Sequence, residues 1–426
     1  MIWFTTVGLL GLLALSLPVG IVLFLLSVGL DVFFSPFPLM RGLGQVVWSS
    51  SNSATLIAIP FFVLLGEVLV RSNVAQRTYA ALNTWVSWLP GGLTHANIAT
   101  ATMFSATSGS SVATAATVAT VAMPQAEKLG YDQRLFSGAI AAGGTLGIMI
   151  PPSINLIVYG FLTETSIPQL FLAGLLPGLL LALLFMAVTV LICMIRPELG
   201  GPTARSTWGE KLASLKDLVP IFGLFLVVVG SIYAGLATPT EAAAVGVGIA
   251  FLIAGMQRAL SLSMLREALL GTIRTTAMIM LVVIGAYVLN FVLTAAGVSR
   301  ALTNLLNGLG FEALGMLLVI VLIYIVLGFF IETLSLMVAT IPIVVPIIEQ
   351  LGYDKVWFGI LMILLVEMAL ITPPVGLNLY VVHSARRGGS FSDVMVGAIP
   401  YVLAMLVMAG ALIAVPQIAL LLPSIL

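Results

Sequence analysis

The chain has 426 residues, of which 61% are hydrophobic and only 8% are charged, and its formal net charge is zero. Soluble domains carry about 25% charged residues, so this composition excludes an ordinary soluble enzyme and is typical of a protein embedded in a lipid bilayer. The balanced charge, without a basic stripe, also excludes nucleic acid as a main partner, because such binding requires cations that neutralise phosphates.

Apolar stretches follow one another along the chain, and most reach the roughly 20 residues that cross the hydrocarbon core as a helix. They lie at residues 4–34, 54–70, 93–124, 134–160, 169–195, 219–256, 272–296, 313–348, 356–382 and 395–425. We therefore predict an all-α, multi-pass membrane protein. No cationic segment precedes the first stretch, so we expect a retained span rather than a cleaved signal peptide.

An internal repeat divides the chain. A shift of 222 residues aligns Pro124 with Pro346, Glu127 with Glu349, residues 129–132 with 351–354, Phe136 with Phe358, and Pro151-Pro152 with Pro373-Pro374. A shift of 223 continues the match, from Asn155 with Asn378 to Gly174 with Gly397 and Pro177 with Pro400. We predict two copies of one unit, residues 1–200 and 201–426.

The distribution of Lys and Arg predicts how the two copies are oriented, because cytoplasmic loops retain positive charge. The basic loops are residues 196–218, 256–274 and 383–393. All three lie on one side only if the stretch 219–256 crosses twice, with a break near Thr238-Pro239, and if 313–348 enters and returns as a re-entrant hairpin.

The repeat predicts the same features in the first half. The stretch 4–34 should break at Pro18, and 93–124 should form the first re-entrant hairpin. The stretches 134–160 and 356–382, each with a double proline, should be broken helices. Each half then crosses five times, which inverts the second half relative to the first. Inverted repeats with helices broken at mid-membrane are the architecture of secondary transporters.

Each half also has a mildly amphipathic stretch before its hairpin, at residues 76–92 and 299–312. Tryptophan and arginine favour the membrane interface, so we interpret these stretches as interfacial arms that cradle a moving bundle. Short connecting helices are the alternative.

The first hairpin contains a small, hydroxyl-rich turn at residues 105–111, inside an otherwise apolar run. Irregular backbone at membrane depth is tolerated only where protein or a cavity covers it, so this turn should face the interior of the bundle. The alternative is that these small residues only allow helices to pack closely.

The double prolines should release backbone oxygens. Proline has no N–H, so in a helix the carbonyl groups four residues earlier lose their donors. In the first half these are Gly147 and Ile148, and in the second half Ala369 and Leu370. Four to six oxygens from one break and one hairpin tip would suit Na⁺ without a carboxylate, which predicts two Na⁺ sites. A kink without an ion is the structural alternative.

Acidic residues inside apolar stretches are costly and indicate function. Glu241, Glu332 and Glu367 are of this kind, and Arg300 is a candidate partner for Glu332 or for a substrate carboxylate. Glu67 lies four residues before Arg71, so a helical ion pair is the simpler interpretation of that glutamate.

The chain resembles the large membrane subunit of tripartite ATP-independent periplasmic (TRAP) transporters. The motifs that carry this resemblance lie at residues 58–62, 89–93, 105–111, 144–154, 173–178 and 372–376, and they cover nearly the whole chain. The resemblance implies an elevator-type, Na⁺-driven importer in the bacterial inner membrane. It also implies a small four-helix membrane subunit and a periplasmic solute-binding protein as partners, usually for organic acids.

The resemblance also implies ligands. The first Na⁺ site would use mainly backbone oxygens around Ser105, Ser108, Gly147, Ile150 and Pro152, and the second those around Gly328, Ala369, Thr372 and Val375. Substrate binding or coupling is expected of the polar residues near these sites, namely Ser110, Ser111, Thr145, Asn155, Glu241, Arg300, Glu332, Glu367 and Asn378. Two positions depart from the family: Ala369 stands where glycine is frequent, and Glu332 stands where aspartate is usual.

Three other functions fit the sequence less well. Intramembrane proteolysis is disfavoured because the sequence lacks His-Glu-x-x-His, supplies no evident base near Ser110, and places its Gly-Tyr-Asp triplets in short polar loops. A passive channel would not need two hairpins with matched breaks. A stand-alone Na⁺/dicarboxylate symporter of similar design is the nearest alternative, and it differs by not needing a binding protein.

Overall fold

The computed structural model describes residues 2–15, 17–35, 38–203, 205–297, 312–373, 375–386 and 388–425. Within these ranges the chain is helical, with turns and no strand, which confirms the predicted all-α class. Helices α1 to α10 are Ile2–Ala14, Val19–Phe34, Leu39–Ser51, Ala58–Val70, Val74–Val86, Leu93–Ser108, Ser111–Leu129, Gln133–Met149, Ile154–Thr163 and Ile167–Ile195. A short 3₁₀ helix, Pro197–Leu199, follows.

The second half continues with nine further α-helices in the described residues. Helices α11 to α19 are Trp208–Tyr233, Pro239–Met256, Leu262–Ala295, Ala313–Gly328, Thr333–Gln350, Lys355–Ala369, Leu377–Ala385, Phe391–Ala414 and Gln417–Ile425. Among the described helices, α10, α11, α12, α13, α15 and α18 are long and apolar enough to cross a membrane.

The predicted helix breaks are present. Helix α2 begins after Pro18, and α12 begins with Pro239 after a Thr238 N-cap. Helices α6 and α7 form hairpin 1, with a two-residue connection at 109–110, and α14 and α15 form hairpin 2, with a connection at 329–332. The first broken helix consists of α8 and α9, and we call the interruption at residues 150–153 break 1. The second consists of α16 and α17, and we call the interruption at residues 370–376 break 2.

The Gly-Tyr-Asp triplets are helix starts rather than catalytic elements. Asp132 accepts a hydrogen bond from the Leu135 N–H at 2.8 Å at the start of α8, and Asp354 accepts one from the Trp357 N–H at 2.9 Å at the start of α16. A carboxylate at this position satisfies N–H groups that have no partner within the helix. The triplets therefore set where the two broken helices begin.

The helices pack as two groups. Helices α6 to α10 and α14 to α19, which we call the core bundle, contain both hairpins and both broken helices. Helices α1 to α5 and α11 to α13, which we call the frame, pack mainly on one another and touch the core bundle through α2, α4, α5, α11 and α13. Inside the core bundle, α8 and α18 are in backbone contact where Gly138 meets Gly397. Paired glycines permit this because no side chain separates the helices.

The first predicted arm is a helix, α5, that packs on the start of α11. Trp85 Nε1 donates to Ser214 Oγ at 3.1 Å, and Arg77 lies 3.6 Å from Asp217. Lys211 lies 5.7 Å from the Trp85 ring centroid, within reach of a cation–π interaction. The second predicted arm lies outside the described residues apart from Glu312.

Candidate ion and solute site

The tip of hairpin 1 is a tight turn at Gly109 and Ser110. Gly109 has φ +58°, in the left-handed region that glycine adopts without steric cost. Ser110 then caps α7, and its Oγ accepts a hydrogen bond from the Ala113 N–H at 3.4 Å. Ser105 and Ser108 lie in the last helical residues of α6, and their side chains are outside the described part. The tip therefore ends one helix and starts another at the same point.

Hairpin 1 meets break 1. A Cβ built on Gly147 would lie 3.0 Å from Thr114 Oγ1 and 3.1 Å from the Ser110 carbonyl oxygen, and one on Gly109 would lie 3.4 Å from the Ile154 side chain. Pro151 and Pro152 supply no N–H to the Gly147 and Ile148 carbonyls, as the sequence predicts. The structure thus brings Gly147 of the predicted first Na⁺ site against Ser110, which was predicted to act in substrate binding or coupling.

Two further residues of the first predicted site, Ile150 and Pro152, lie in break 1 itself. The Ile150 N–H still donates to the Leu146 carbonyl at 3.1 Å, so α8 is regular up to the break. Ser153 then caps α9, accepting from the Leu156 N–H at 3.4 Å. The angle between α8 and α9 is 40°.

Hairpin 2 meets break 2 in the same way. A Cβ built on Gly328 would lie 2.5 Å from Ala369 Cβ, so these two residues of the predicted second Na⁺ site are in direct contact. A cavity of about 180 Å³ lies between the tip and the break. Its lining residues are Gly328, Phe329, Phe330, Ile331, Glu332, Leu370, Val375, Gly376 and Leu377.

One prediction about break 2 is wrong. The Ala369 and Leu370 carbonyls are not left without donors, because the Thr372 N–H donates to Ala369 O at 3.2 Å and the Asn378 N–H donates to Leu370 O at 3.1 Å. The Thr372 donor comes from a turn within break 2, before the prolines, and the Asn378 donor comes from α17, where the chain folds back after them. Each carbonyl oxygen has a second lone pair, so both remain possible cation ligands. Thr372 Oγ1 donates to the Met368 carbonyl at 2.6 Å.

Glu332 caps α15 at the tip of hairpin 2. Its carboxylate accepts hydrogen bonds from the Leu334 N–H at 3.1 Å and the Ser335 N–H at 3.0 Å. A negative group at a helix N-terminus is stabilised by these N–H groups and by the helix dipole. Glu332 is exposed and lines the cavity, so it can face a solute.

Glu367 joins the two hairpins, which the sequence did not predict. The carboxyl group is fully buried on α16. It accepts a hydrogen bond from Ser111, the first residue of α7, and another from Thr333 Oγ1, the first residue of α15, at 3.4 Å. Ser111 and Thr333 occupy the same register of the repeat, which is the signal that would have paired them. Both hairpin tips therefore converge on one side chain.

The remaining buried polar candidates lie around this centre. Asn378 is fully buried; its Nδ2 donates to the Ala141 carbonyl at 3.3 Å and lies 3.0 Å from the Cβ position of Gly144. The same Cβ position is 3.0 Å from the Ser111 carbonyl oxygen. Among the described residues, Asn378 Oδ1 and Asn155 Nδ2 are buried without a partner, which leaves them available to a ligand or water.

Thr145 is buried but already engaged, since its Oγ1 donates to the Ala142 carbonyl of its own helix at 2.7 Å. Thr145 holds the repeat position of Glu367, yet it bridges no hairpin. The two halves of the centre are therefore chemically unequal.

Glu241 and Arg300 are not brought into this centre. Glu241 forms a capping box with Thr238, in which the Glu241 N–H donates to Thr238 Oγ1 at 3.3 Å and the Thr238 N–H donates to Glu241 Oε2 at 2.8 Å. It lines a separate cavity of about 710 Å³, together with Glu164 and Tyr287. Arg300 lies outside the described residues. The simpler interpretation of Glu67 is confirmed, because it forms an ion pair with Arg71.

The backbone carbonyl and hydroxyl oxygens that could bind a cation at the two breaks are uncharged. Among the described residues, no group of three or more His, Cys, Asp or Glu could hold a metal ion. Backbone carbonyls at helix C-termini and unwound segments are suited to Na⁺, whereas the N-termini of α7, α9 and α17 favour an anion and that of α15 already carries the Glu332 carboxylate. The centre can therefore attract a small cation and an anionic group side by side.

A comparison with known proteins places this geometry in context. A family model described as "Tripartite ATP-independent periplasmic transporter, DctM component" matches residues 6–418. The chain is 36% identical to the C4-dicarboxylate TRAP transporter large permease protein DctM of Pseudomonas aeruginosa, over 92% of this chain and 91% of that protein. It is 32% identical to the sialic acid TRAP transporter large permease protein SiaM of Vibrio cholerae, over 98% of this chain and 97% of that protein.

Among solved structures, the YdaH transporter of Alcanivorax borkumensis is similar, with a TM-score of 0.66. The match covers 94% of this chain and 98% of that chain at 14% sequence identity. At this identity the similarity concerns the fold alone.

Proposed function

Because the chain belongs to the DctM-component family of tripartite ATP-independent periplasmic transporters, we propose that it is the solute-translocating subunit of a Na⁺-coupled importer. It would carry an organic acid into the cytoplasm across the bacterial inner membrane by an elevator movement. Its relatives are permeases and not enzymes. The observation that carries the proposal is the meeting of two hairpin tips with two helix breaks around a buried polar centre.

The solute class follows from the helix ends at this centre. Three helices, α7, α9 and α17, begin at the tip of hairpin 1 or just after the breaks and point the positive ends of their dipoles there, whereas the N-terminus of α15 already holds the Glu332 carboxylate. Such ends attract carboxylates. The relatives named above take a C4-dicarboxylate and sialic acid, both of which are acids. A carboxylate-bearing solute therefore suits this chain.

Sodium coupling is supported by the donor set. In the first half, the oxygens around Ser105, Ser108, Gly147, Ile150 and Pro152 would hold one ion. In the second half, those around Gly328, Ala369, Thr372 and Val375 would hold another. Each bound cation would supply positive charge beside the solute, which lowers the electrostatic cost of placing a carboxylate at membrane depth.

The elevator movement is supported by the division into core bundle and frame. The core bundle holds the described residues of both predicted Na⁺ sites and of the buried polar centre, whereas Glu241 of the frame lies outside that centre. Across the boundary, Tyr287 of α13 donates to the Phe161 carbonyl of α9 at 3.0 Å, and the two rings lie 5.1 Å apart. A body that carries its whole binding site can move past a frame without dismantling that site.

The partners follow from the family. The names of its relatives describe a large permease protein of a tripartite transporter, which implies a separate small membrane subunit and a third component. We propose that these partners are a small four-helix membrane subunit and a periplasmic solute-binding protein. The frame offers lipid or partner contact through exposed apolar side chains such as Leu226 on α11, Leu252 on α12 and Leu281 on α13.

Uptake by proteoliposomes tests the proposal. Vesicles would contain this chain with its small-subunit partner, and labelled solute would be offered with an inward Na⁺ gradient, with and without the binding protein. Uptake that requires both the gradient and the binding protein supports the tripartite importer. Uptake without the binding protein would instead indicate a stand-alone Na⁺/dicarboxylate-type symporter, and uptake indifferent to Na⁺ would overturn the coupling.

A further inference from the structure

The bridge from Ser111 through Glu367 to Thr333 has no role in the function proposed so far. The three residues come from three different elements, α7, α16 and α15, and all three are buried, with exposures of 1%, 0% and 1%. Glu367 lies two residues before the end of α16, beside break 2. We propose that Glu367 is a positioning residue that fastens the tips of both hairpins to one point, so that neither tip opens independently of the other.

The chemistry of a buried carboxyl group supports a fastening role. Within the described chain, no Lys, Arg or His forms an ion pair with Glu367, so the two hydroxyl donors are its polar anchors. Removing a partner from a buried acceptor costs the desolvation energy of that group. Moving either tip away would remove one hydroxyl donor from the Glu367 carboxyl group and impose this cost. The cost is of the same kind for both tips, because both donors bind to that one group.

The symmetry of the contact supports a shared role. Ser111 and Thr333 are the first residues of the second helix of their hairpins, so Glu367 holds the same point of each. Thr145, at the repeat position of Glu367, donates to the Ala142 carbonyl of its own helix and otherwise contacts Met405 of α18, so within the described chain it bridges no hairpin. The fastening is therefore supplied by the second half alone.

The physical consequence is transmission between hairpins. Ser111 holds the long Glu367 side chain in the position that Thr333 needs. Without Ser111 that side chain is free to reorient, and hairpin 2 loses part of its anchor although no residue of hairpin 2 has changed. This inference rests on the proposed function only in treating the tips as gates, and it can be tested without transport.

The experiment uses the full chain with its small-subunit partner in Na⁺-free, solute-free proteoliposomes. Cys193, the single cysteine, is replaced by alanine, and Ile331→Cys is introduced as a reporter. Ile331 is half-buried and lines the cavity beside the tip of hairpin 2. The rate of maleimide labelling then reports the opening of hairpin 2.

The expected result is an effect across hairpins. Ser111→Ala should raise the labelling rate about fivefold, the ratio expected for the loss of one hydrogen bond to a buried group. Thr333→Val should raise it at least as much. The double variant should label no faster than Thr333→Val alone, because Ser111 acts on hairpin 2 only through Glu367.

Matched controls separate this effect from general loosening. Ser27→Ala and Thr272→Val remove buried hydroxyls that bond only to their own helix, Ser27 to the Leu23 carbonyl at 2.6 Å and Thr272 to the Ala268 carbonyl at 2.8 Å. Both should leave the labelling rate within about twofold. Glu367→Gln should also stay close to the parent, because an amide can bond to both hydroxyls.

Two results would overturn the inference. One is an unchanged labelling rate in Ser111→Ala. The other is a double variant whose rate is the product of the two single effects. Neither result bears on Na⁺-driven uptake, so failure of this inference is distinct from failure of the proposed function.

Discussion

Gly328 at the end of α14 lies directly against Ala369 at the end of α16, with 2.5 Å between the Cβ position of the glycine and the Cβ of the alanine. The two helix ends approach this closely because only one of the two residues has a side chain. The contact closes one wall of the predicted second Na⁺ site. It also explains how alanine is accommodated at position 369, where the resemblance to the family led us to expect glycine.

Gly328→Ala should therefore impair transport. Two methyl groups cannot share the space, so the tip of hairpin 2 must shift, with an overpacking cost of about 1–3 kcal/mol. We expect Na⁺-driven uptake to fall at least tenfold, and the second change Ala369→Gly to restore most of it. Gly230→Ala is the matched control, since its Cβ would meet nothing within 4 Å. Failure of Ala369→Gly to rescue uptake would contradict this account.

Gly147→Ala should weaken the first predicted Na⁺ site. The added Cβ would lie 3.0 Å from Thr114 Oγ1 and 3.1 Å from the Ser110 carbonyl oxygen, so the hairpin must yield by a few tenths of an ångström. The Na⁺ concentration at half-maximal uptake should rise about fivefold or more, the equivalent of about 1 kcal/mol. Gly248→Ala, which meets nothing within 4 Å, should leave this concentration unchanged. An unchanged value in Gly147→Ala would remove this residue from the site.

Glu332 should tolerate aspartate better than alanine. Aspartate can still cap α15 and keep a negative charge at the cavity, whereas alanine loses the cap, which costs about 1 kcal/mol. We expect uptake to fall about fivefold or more in Glu332→Ala and to remain near the parent value in Glu332→Asp. Equal initial rates in the two variants would show that the carboxylate has no part in transport.

Gly397→Ala should destabilise the core bundle. Its Cβ would lie 1.8 Å from the Arg134 carbonyl oxygen, so α8 and α18 must separate, at a cost of about 3 kcal/mol or more. The unfolding temperature in detergent should fall by several degrees, or the protein should fail to accumulate. Gly410→Ala in the same helix meets nothing within 4 Å and should unfold like the parent. Similar unfolding of both variants would show that α8 and α18 are not in backbone contact.

Much of the fold could be predicted because proline and glycine act locally. Pro18 and Pro239 mark helix starts as expected, and the hydroxyl-rich turn at 105–111 does contain the tip of hairpin 1. These signals work because a missing N–H or a positive φ disfavours continuation of a helix, although Pro124, Pro177 and Pro220 lie inside helices, so a proline alone does not mark a break. The inverted relation of the two halves stays a prediction.

The centre was less predictable because it depends on contacts between distant segments. The Ala369 carbonyl regains a donor from the turn at Thr372 within break 2, and the Leu370 carbonyl from Asn378 beyond it, which a helical rule applied to the prolines does not anticipate. Likewise, the residues around Glu367 in the sequence do not predict its hydrogen bond with Ser111, which is 256 residues away. For Glu241 the sequence suggested a functional role because the residue lies in an apolar stretch, whereas a local capping box with Thr238 is enough to explain its position.

The most direct test of the proposed function measures both fluxes in the same proteoliposomes, following labelled Na⁺ and labelled solute together in the presence of the binding protein and the small subunit. We expect the addition of solute-loaded binding protein to accelerate Na⁺ entry in step with solute entry, and removal of the Na⁺ gradient to stop both. Solute entry at full rate with no accompanying Na⁺ entry would contradict the account.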